Sequence, residues 1–193
     1  MRFITLFITI FSIIYFNYIT NLNAYNIKYI NVHNSIVKLQ PNIDKTFVKK
    51  ITHDILKYSK QYNLDPHLLI AIINQESKFN MDAKNCSTGF NNKNKKVKVC
   101  HDFGLIQLNH TNITNMDINI KKLMTNSSYA INIMAKILFD LKKSYSKKEP
   151  QTFWTRYNTN TSYKRYFYQK AVCRYYLGGN YCKKIKTFDW KAN

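Results

Sequence analysis

The chain has 193 residues, enough for one domain with a sizeable core plus a short leader, and it contains neither an internal repeat nor a long linker. Its formal net charge is +20 at pH 7, with 30 Lys and Arg against 10 Asp and Glu, so the charge predicts a polyanionic partner. The lack of an internal repeat excludes a tandem-repeat protein. Lys, Asn, Ile and Tyr are abundant throughout, and compositional drift in an AT-rich genome explains the charge equally well.

The first two dozen residues have the pattern of an export signal. Arg2 is their only charged residue, an apolar run extends from Phe3 to Phe16, and Asn-Leu-Asn-Ala at 21–24 could precede a cleavage site. The run is short for a membrane span, which needs about 20 apolar residues. We therefore predict a signal peptide at residues 1–24, with an uncleaved membrane anchor through residues 3–19 as the alternative.

Four cysteines follow the leader and agree with export. They allow three connectivities, of which proximity favours Cys86–Cys100 and Cys173–Cys182. A zinc site is the alternative, but the chain has no C-x-x-C pair, and His101 is the only His beside a Cys. We expect a periplasmic, extracellular or cell-wall protein. In those places anionic cell-wall polymers or membrane surfaces are better partners for the positive charge than nucleic acid.

The pattern of apolar residues predicts mainly helices. Residues 25–43 lack periodicity and predict an extended lead-in, whereas helical spacing predicts a helix from Asp44 to about Tyr62. The lysine-rich stretch 83–101 lies between two cysteines, and its alternation at 96–99 predicts a stapled β-hairpin or loop. The Asn- and Thr-rich stretch at 110–119 looks irregular. Further along the chain, the pattern predicts a helix at 127–145 and a short helix that begins at Pro150 and runs through Tyr157. It also predicts a helix at 162–177, ended by Gly178-Gly179, and a tail at 178–193.

A single glutamate lies at the end of an apolar helix. Asp65 is a good N-cap, Pro66 suits the first helical position, and residues 68–73 make the helix apolar on most sides. Glu76 lies on the buried face near the C-terminus, where burial and the helix dipole both disfavour negative charge. Its pKa should therefore be raised, as a general acid requires. The only other glutamate, Glu149, lies in a polar linker, so Glu76 is the candidate catalytic residue.

Two further stretches could converge on Glu76. In DFGLIQLN, Gly104 permits a close backbone approach, and Gln107 and Asn109 alternate with aliphatic residues, so their amides could face a cleft. Amides both donate and accept hydrogen bonds, which suits sugar hydroxyls and N-acetyl groups. In WTRYN, Tyr157 and Asn158 end a short helix with a phenol and an amide. Taken singly, each of these residues has an ordinary structural explanation.

Taken in this order, ES-x-F-N, G-L-I-Q-L-N and the later Tyr-Asn pair resemble the soluble lytic transglycosylase domain over roughly residues 44–177. The resemblance is closest to the specialised members that accompany secretion, conjugation or phage entry. It implies a lysozyme-like, mainly α fold with two lobes, a cleft and a small hairpin or loop insertion. It also implies cleavage of peptidoglycan glycan strands between N-acetylmuramic acid and N-acetylglucosamine, leaving 1,6-anhydromuramic acid ends. No metal or nucleotide motif occurs, so no cofactor is expected.

The resemblance also implies roles for single residues. Glu76 matches the single acid/base, and Tyr157 matches the tyrosine that contacts the catalytic carboxyl. The residues that match the lining of the cleft are Ser77, Gly104, Gln107, Asn109 and Asn158. The chain departs from the family pattern at Thr159-Asn160, where Ala-Gly is usual, and between the first two cysteines, where the family has a shorter loop.

Two alternatives stay open. Asp102 stands where c-type lysozymes, which share much of this pattern, carry a second catalytic carboxylate, so a retaining hydrolase that uses Glu76 and Asp102 is the second hypothesis. A non-catalytic glycan-binding module is the third, although it does not require the acid that this chain retains. Nucleic-acid binding is not expected, because the chain has neither an RNA-binding aromatic motif nor a GXXG loop.

Overall fold

The computed structural model describes residues 2–90, 94–179 and 181–182, with side chains from residue 12 onward. Within these residues the chain forms α-helices, one 3-10 helix and a three-stranded antiparallel sheet, which confirms the predicted mainly α, lysozyme-like class. The helices are α1 (Arg2–Leu39), α2 (Lys45–Gln61), α3 (Pro66–Ser77), α4 (His110–Asn115), α5 (Ile120–Thr125), α6 (Ser127–Tyr145), the 3-10 helix (Phe153–Tyr157) and α7 (Ser162–Cys173). The strands are β1 (Lys84–Phe90), β2 (Lys96–Phe103) and β3 (Leu108–Asn109).

Helix α3 forms the centre of the core. Its residues 68–73 are all buried, and it packs against α1, α2 and α7. Asp65 accepts a hydrogen bond from a first-turn backbone N–H (2.8 Å), and Pro66 follows it, as predicted. At the other end Lys78 adopts a left-handed conformation with φ 53°, so the chain turns away directly after the helix. Glu76 is therefore held at the rim of the core.

The bounds of α2 and α6, two long helices of the domain, agree with the predicted bounds to within one residue. Asp44 caps α2 by accepting from the Phe47 N–H (2.7 Å), and Asn126 caps α6 in the same way. The two helices pack against each other. At their interface the buried Ser127 hydroxyl donates to a carboxylate oxygen of Asp54 (3.0 Å), so this buried charge has a partner.

The predicted stapled hairpin is also present. Strands β1 and β2 pair antiparallel, β3 pairs with β2, and Cys86 lies opposite Cys100, to which it is disulfide-bonded. The second disulfide joins Cys173 to Cys182, so both predicted pairings are confirmed. Strand β1 packs chiefly against β2, and most of the hairpin is exposed. A two-stranded hairpin is only marginally stable alone. The Cys86–Cys100 disulfide restricts its unfolded state and so supplies stability that packing against another sheet or helix would otherwise give.

The predicted extended lead-in at 25–43 was wrong as far as Leu39. Helix α1 continues to that residue because Val32 and Ile36, one turn apart, are buried against the domain. Apolar side chains earlier in the helix are exposed, including Ile27 and Ile30, which is why no one-sided pattern was visible. No helix in the described part of the chain is long and apolar enough to cross a membrane. The signal peptide, its cleavage and the domain boundaries stay predictions.

The predicted irregular structure at 110–119 was wrong as well. It contains α4, and α5 begins directly after it. Asn109 and Asn119 cap the two helices by accepting backbone N–H groups at 2.9 and 2.8 Å. Each helix is only six residues long and is anchored by one buried residue, Ile113 or Leu123, so neither shows a helical period.

The C-terminal predictions need smaller corrections. Pro150 lies before the short helix, which is 3-10 and begins at Phe153. Helix α7 ends at Cys173 and not at Leu177, because the chain turns there and Tyr176 donates its hydroxyl hydrogen to Asp65. Most of the predicted tail at 178–193 lies outside the described residues.

We predict that the end of α1 is part of the folding unit. Replacing Ile36 by Ala should lower the free energy of unfolding by about 2–5 kcal/mol, because it leaves a cavity in the core. Ile27→Ala is the matched control in the same helix and should change it by less than about 0.5 kcal/mol, because Ile27 is 61% exposed. Urea midpoints measure both, and an unchanged midpoint for Ile36→Ala would contradict the packing.

Candidate active site

One polar cleft of about 400 Å³ joins the three stretches that the sequence singled out. It is formed by the end of α3, the turn from β2 to β3, α4, α6 and the 3-10 helix. The residues that line it are Glu76, Asp102, Gln107, Leu108, Asn109, Asn112, Ile137, Tyr157 and Asn158. A larger and more open hollow of about 490 Å³, between residues 40–47 and 78–81, is lined by no carboxylate. The cleft is therefore the candidate active site.

Glu76 is mostly withdrawn from solvent. Burial raises its pKa from an ordinary 4.5 to about 7, and the negative charge of Asp102 contributes to the rise. The hydroxyl of Tyr168 donates to Glu76 Oε1 at 2.5 Å and opposes the shift, because it stabilises the ionised carboxylate. At neutral pH, Glu76 is thus close to half protonated, which allows it both to give and to take a proton.

The tyrosine bonded to Glu76 is not the predicted one. Tyr157 donates its hydroxyl hydrogen to the Ile106 carbonyl (2.8 Å), whereas Tyr168 of α7 donates to Glu76. Tyr168 is buried beside Trp154, with ring centroids 6.1 Å apart, and burial raises its pKa well above the ordinary value. Tyr168 therefore remains a hydrogen-bond donor at any working pH, and Tyr157 lines the cleft instead.

Asp102 is held by two amides. Asn85 donates to one of its carboxylate oxygens (2.8 Å) and Asn109 to the other (3.0 Å). The side-chain oxygen of Asn109 accepts from the Thr111 N–H and caps α4 (2.9 Å). Both the side-chain nitrogen and the side-chain oxygen of Asn109 thus make hydrogen bonds within the protein. Through its nitrogen, Asn109 orients Asp102 at the edge of the cleft.

Three other predicted site residues hold the turn at 104–107. Ser77 donates to the Leu105 carbonyl (2.6 Å), and the Gln107 amide nitrogen donates to the carbonyls of Ala83 (3.0 Å) and Gly104 (2.9 Å). Gly104 has φ +74°, and a Cβ there would lie 3.3 Å from a carbonyl oxygen of α5. Ser77 and Gly104 thus shape the turn that borders the cleft and are not among the residues that line the cleft, and a direct role for them in substrate binding stays a prediction. Gln107 lines the cleft.

The surroundings of Glu149 lower its pKa, whereas those of Glu76 raise the pKa of that residue. The sequence places Glu149 in a polar linker, and in the structure it lies between Arg156 and Arg165 and accepts hydrogen bonds from both, at 2.7 Å from Arg156. These contacts, led by the hydrogen bond from Arg156, lower its pKa to about 2. Arg165 also donates to the Thr155 hydroxyl (2.9 Å), so the cluster joins the 3-10 helix to α7, which carries Tyr168.

Sequence reasoning missed three residues of the site. Tyr168 lies at helical spacing from Arg165 and the buried Val172, so the inward face of α7 was a usable signal for it. Asn112 and Ile137 also line the cleft, and nothing in the sequence distinguishes them from their neighbours. No group of three or more His, Cys, Asp or Glu in the described chain could hold a metal ion.

Comparison with known families agrees with this geometry. The Transglycosylase SLT domain matches residues 54–170, a span that contains every residue lining the cleft. The chain therefore belongs to the transglycosylase SLT domain family. No curated protein and no solved structure matches it significantly. Family membership gives the chain lytic transglycosylase-type activity on peptidoglycan in general, and the two disulfides fit a site of action outside the cytoplasm.

The raised pKa predicts how Glu76 affects stability. Because its pKa in the folded state lies above 4.5, Glu76 favours folding below pH 4.5, and this contribution is lost as pH rises through about 7. Glu76→Gln should therefore become more stable relative to the wild type between about pH 5 and about pH 8, as measured by urea midpoints.

Glu149→Gln is the matched control, since the chain has only these two glutamates. The lowered pKa of Glu149 gives a contribution that is present above pH 4.5 and lost as pH falls towards 2. Glu149→Gln should therefore be less stable than the wild type both at about pH 5 and at about pH 8. If the two variants show the same pH trend, the pKa assignment of Glu76 is wrong.

Proposed function

We propose that the protein is a lytic transglycosylase that cleaves the β-1,4 bond between N-acetylmuramic acid and N-acetylglucosamine, with Glu76 as the single acid/base. The observation that carries the proposal is a carboxyl with a pKa of about 7 at the edge of a polar cleft, bonded to a buried tyrosine. General acid–base catalysis is most efficient when the pKa of the group lies near the working pH.

In the first step, protonated Glu76 gives its proton to the glycosidic oxygen. The bond from that oxygen to the anomeric carbon of the muramic acid breaks, and the N-acetylglucosamine side leaves with a free hydroxyl. Glu76 becomes a carboxylate, which the Tyr168 hydroxyl stabilises through its hydrogen bond of 2.5 Å. The negative charge of Asp102, which lines the same cleft, contributes to the raised pKa that keeps Glu76 protonated for this step.

In the second step, the C6 hydroxyl of the same muramic acid attacks its anomeric carbon. The Glu76 carboxylate takes the hydroxyl proton, a 1,6-anhydro ring closes, and the enzyme returns to its starting state without consuming water. A second catalytic carboxylate is not needed, because a well-oriented internal nucleophile can have an effective molarity of about 10⁵–10⁸ M.

Substrate positioning falls to neutral polar groups of the cleft. The amide oxygen of Gln107 and the side chains of Asn112 and Asn158 can hydrogen-bond sugar hydroxyls and N-acetyl groups, whereas Asn109 holds Asp102. Tyr168 is a positioning residue that acts through Glu76. The predicted export and a role beside a secretion, conjugation or phage assembly belong to this proposal, because opening of the wall is what such assemblies need.

A retaining hydrolase is the second candidate, and the presence of Asp102 in the same cleft favours it. In that chemistry Asp102 acts as nucleophile or stabiliser and water completes the reaction, which leaves a free reducing end. Both carboxylate oxygens of Asp102 accept a hydrogen bond from an asparagine, which orients the carboxylate in a way that suits either candidate. We favour the transglycosylase because the family match over residues 54–170 is to the Transglycosylase SLT domain.

The product separates the two candidates. We expect muramic acid ends lighter by one water when purified peptidoglycan is digested and examined by mass spectrometry. Glu76→Gln should lower the rate by about 10²–10⁴-fold, while Asp102→Asn should have a mild effect. Hydrated ends together with an inactive Asp102→Asn variant would favour the hydrolase. Full activity of Glu76→Gln would contradict the role of Glu76, and a wild type that binds peptidoglycan without cleaving it would leave only a glycan-binding module.

The pH profile tests Tyr168. Tyr168→Phe removes a hydrogen bond that lowers the pKa of Glu76, so the alkaline limb of kcat/KM should move from about pH 7 to a higher pH. Tyr157→Phe is the control and should leave the limb in place, because that hydroxyl bonds to a backbone carbonyl. A lower rate with an unmoved limb would mean that Tyr168 has only a packing role.

A further inference from the structure

The exposed hairpin begins at the cleft, and its function is not explained by the cleavage reaction. Asp102, near the end of β2, lines the cleft and is bonded to Asn85 of β1. Beyond this point the two strands run outward as an arm that is closed by the Cys86–Cys100 disulfide. We call residues 84–90 and 96–101 the hairpin arm.

One face of the hairpin arm is basic. In the register, Thr88 lies opposite Lys98 and Phe90 lies opposite Lys96, so these four side chains share a face. Both lysines are exposed, and Phe90 is 64% exposed. The ion pairs among the described residues include neither lysine. The stretch 83–101 contains no Asp or Glu, so no charge of its own opposes an anion.

The same part of the arm forms a shallow groove of about 400 Å³. It is lined by Cys86, Ser87, Thr88, Lys96, Val97 and Lys98. Both lysines and the Thr88 hydroxyl line this groove and can bond to an anion, and Phe90 offers an apolar surface on the same face. Such a groove suits a short chain that carries carboxylates better than it suits a flat membrane surface.

We propose that the basic face of the hairpin arm binds the carboxylates of the peptides that hang from the glycan strand held in the cleft. This inference rests on the proposed function. Lys98 and Lys96 are four and six residues from Asp102, which is about 13 and 20 Å along an extended strand. A wall peptide of about five residues spans at most about 17 Å, so a peptide on a sugar in the cleft reaches the position of Lys98 and ends about 3 Å short of that of Lys96, a gap that the long Lys96 side chain can close.

The experiment compares two double variants on two substrates. Lys96→Gln with Lys98→Gln removes the basic face, and Lys49→Gln with Lys50→Gln removes two exposed lysines of α2 as a control of equal charge. The substrates are purified peptidoglycan with its peptides and the same material after an amidase has removed them. Initial rates are measured at low ionic strength, where exposed charges are least screened.

We expect the arm variant to lose about 3- to 10-fold in kcat/KM on peptide-bearing material, which lies within the loss expected for two exposed ion pairs. On peptide-free strands it should equal the wild type, and the control should equal the wild type on both substrates. Amidation of the peptide carboxylates should remove the loss, and so should high salt. Thermal unfolding of the arm variant should match the wild type.

Other results overturn the inference. Equal losses in the arm and control variants would mean that overall charge is responsible. A loss on peptide-free strands would mean that the arm binds the glycan itself. Unchanged kcat/KM together with lost binding to phosphatidylglycerol vesicles would make the arm a membrane contact. Wild-type activity on peptide-free strands tests the proposed function separately, so the failure of either idea can be recognised.

Discussion

Water is excluded from every side of α3 between Leu68 and Ile73, and the carboxyl of Glu76 lies one turn further along the same helix. A side chain so close to a dry core gains little hydration when it ionises, so the fold itself keeps Glu76 partly protonated near neutral pH. The other glutamate has the opposite environment, with two guanidinium groups in contact. Burial thus raises the pKa of one glutamate, and two guanidinium groups lower the pKa of the other.

Around Glu76, neutral groups bonded to backbone carbonyls supply the rigidity. Ser77 and Tyr157 bond to consecutive carbonyls of the turn, and Gln107 bonds to the carbonyl of Gly104 within it. These bonds fix the floor of the cleft without adding ionised groups that would shift the pKa of Glu76. Of the charged groups, Asp102 shares the cleft with Glu76, and two asparagines fix its position. The family match over residues 54–170 fits this arrangement.

The sequence predicted what depends on local patterns. Helices α2, α3 and α6 have caps and long apolar periods, and the hairpin has cysteines placed to face each other, so their positions followed from spacing. Helices α4 and α5 could not be found in this way, since each is a six-residue helix capped by Asn in a chain rich in Asn. The choice between Tyr157 and Tyr168 depends on how the 3-10 helix and α7 pack, which the sequence does not display.

The bond between Tyr168 and Glu76 joins residues 92 positions apart in sequence, and the bond between Tyr176 and Asp65 joins residues 111 positions apart. Both bonds fasten the last helix and the turn after it to the two ends of α3. A nascent chain that has emerged only as far as α6 has its glutamate but lacks this partner and the wall formed by the 3-10 helix. Contacts with such large sequence separation form late in folding. Glu76 therefore gains its bonded tyrosine, and the cleft its complete wall, only when the C-terminal segment has emerged and docked on α3.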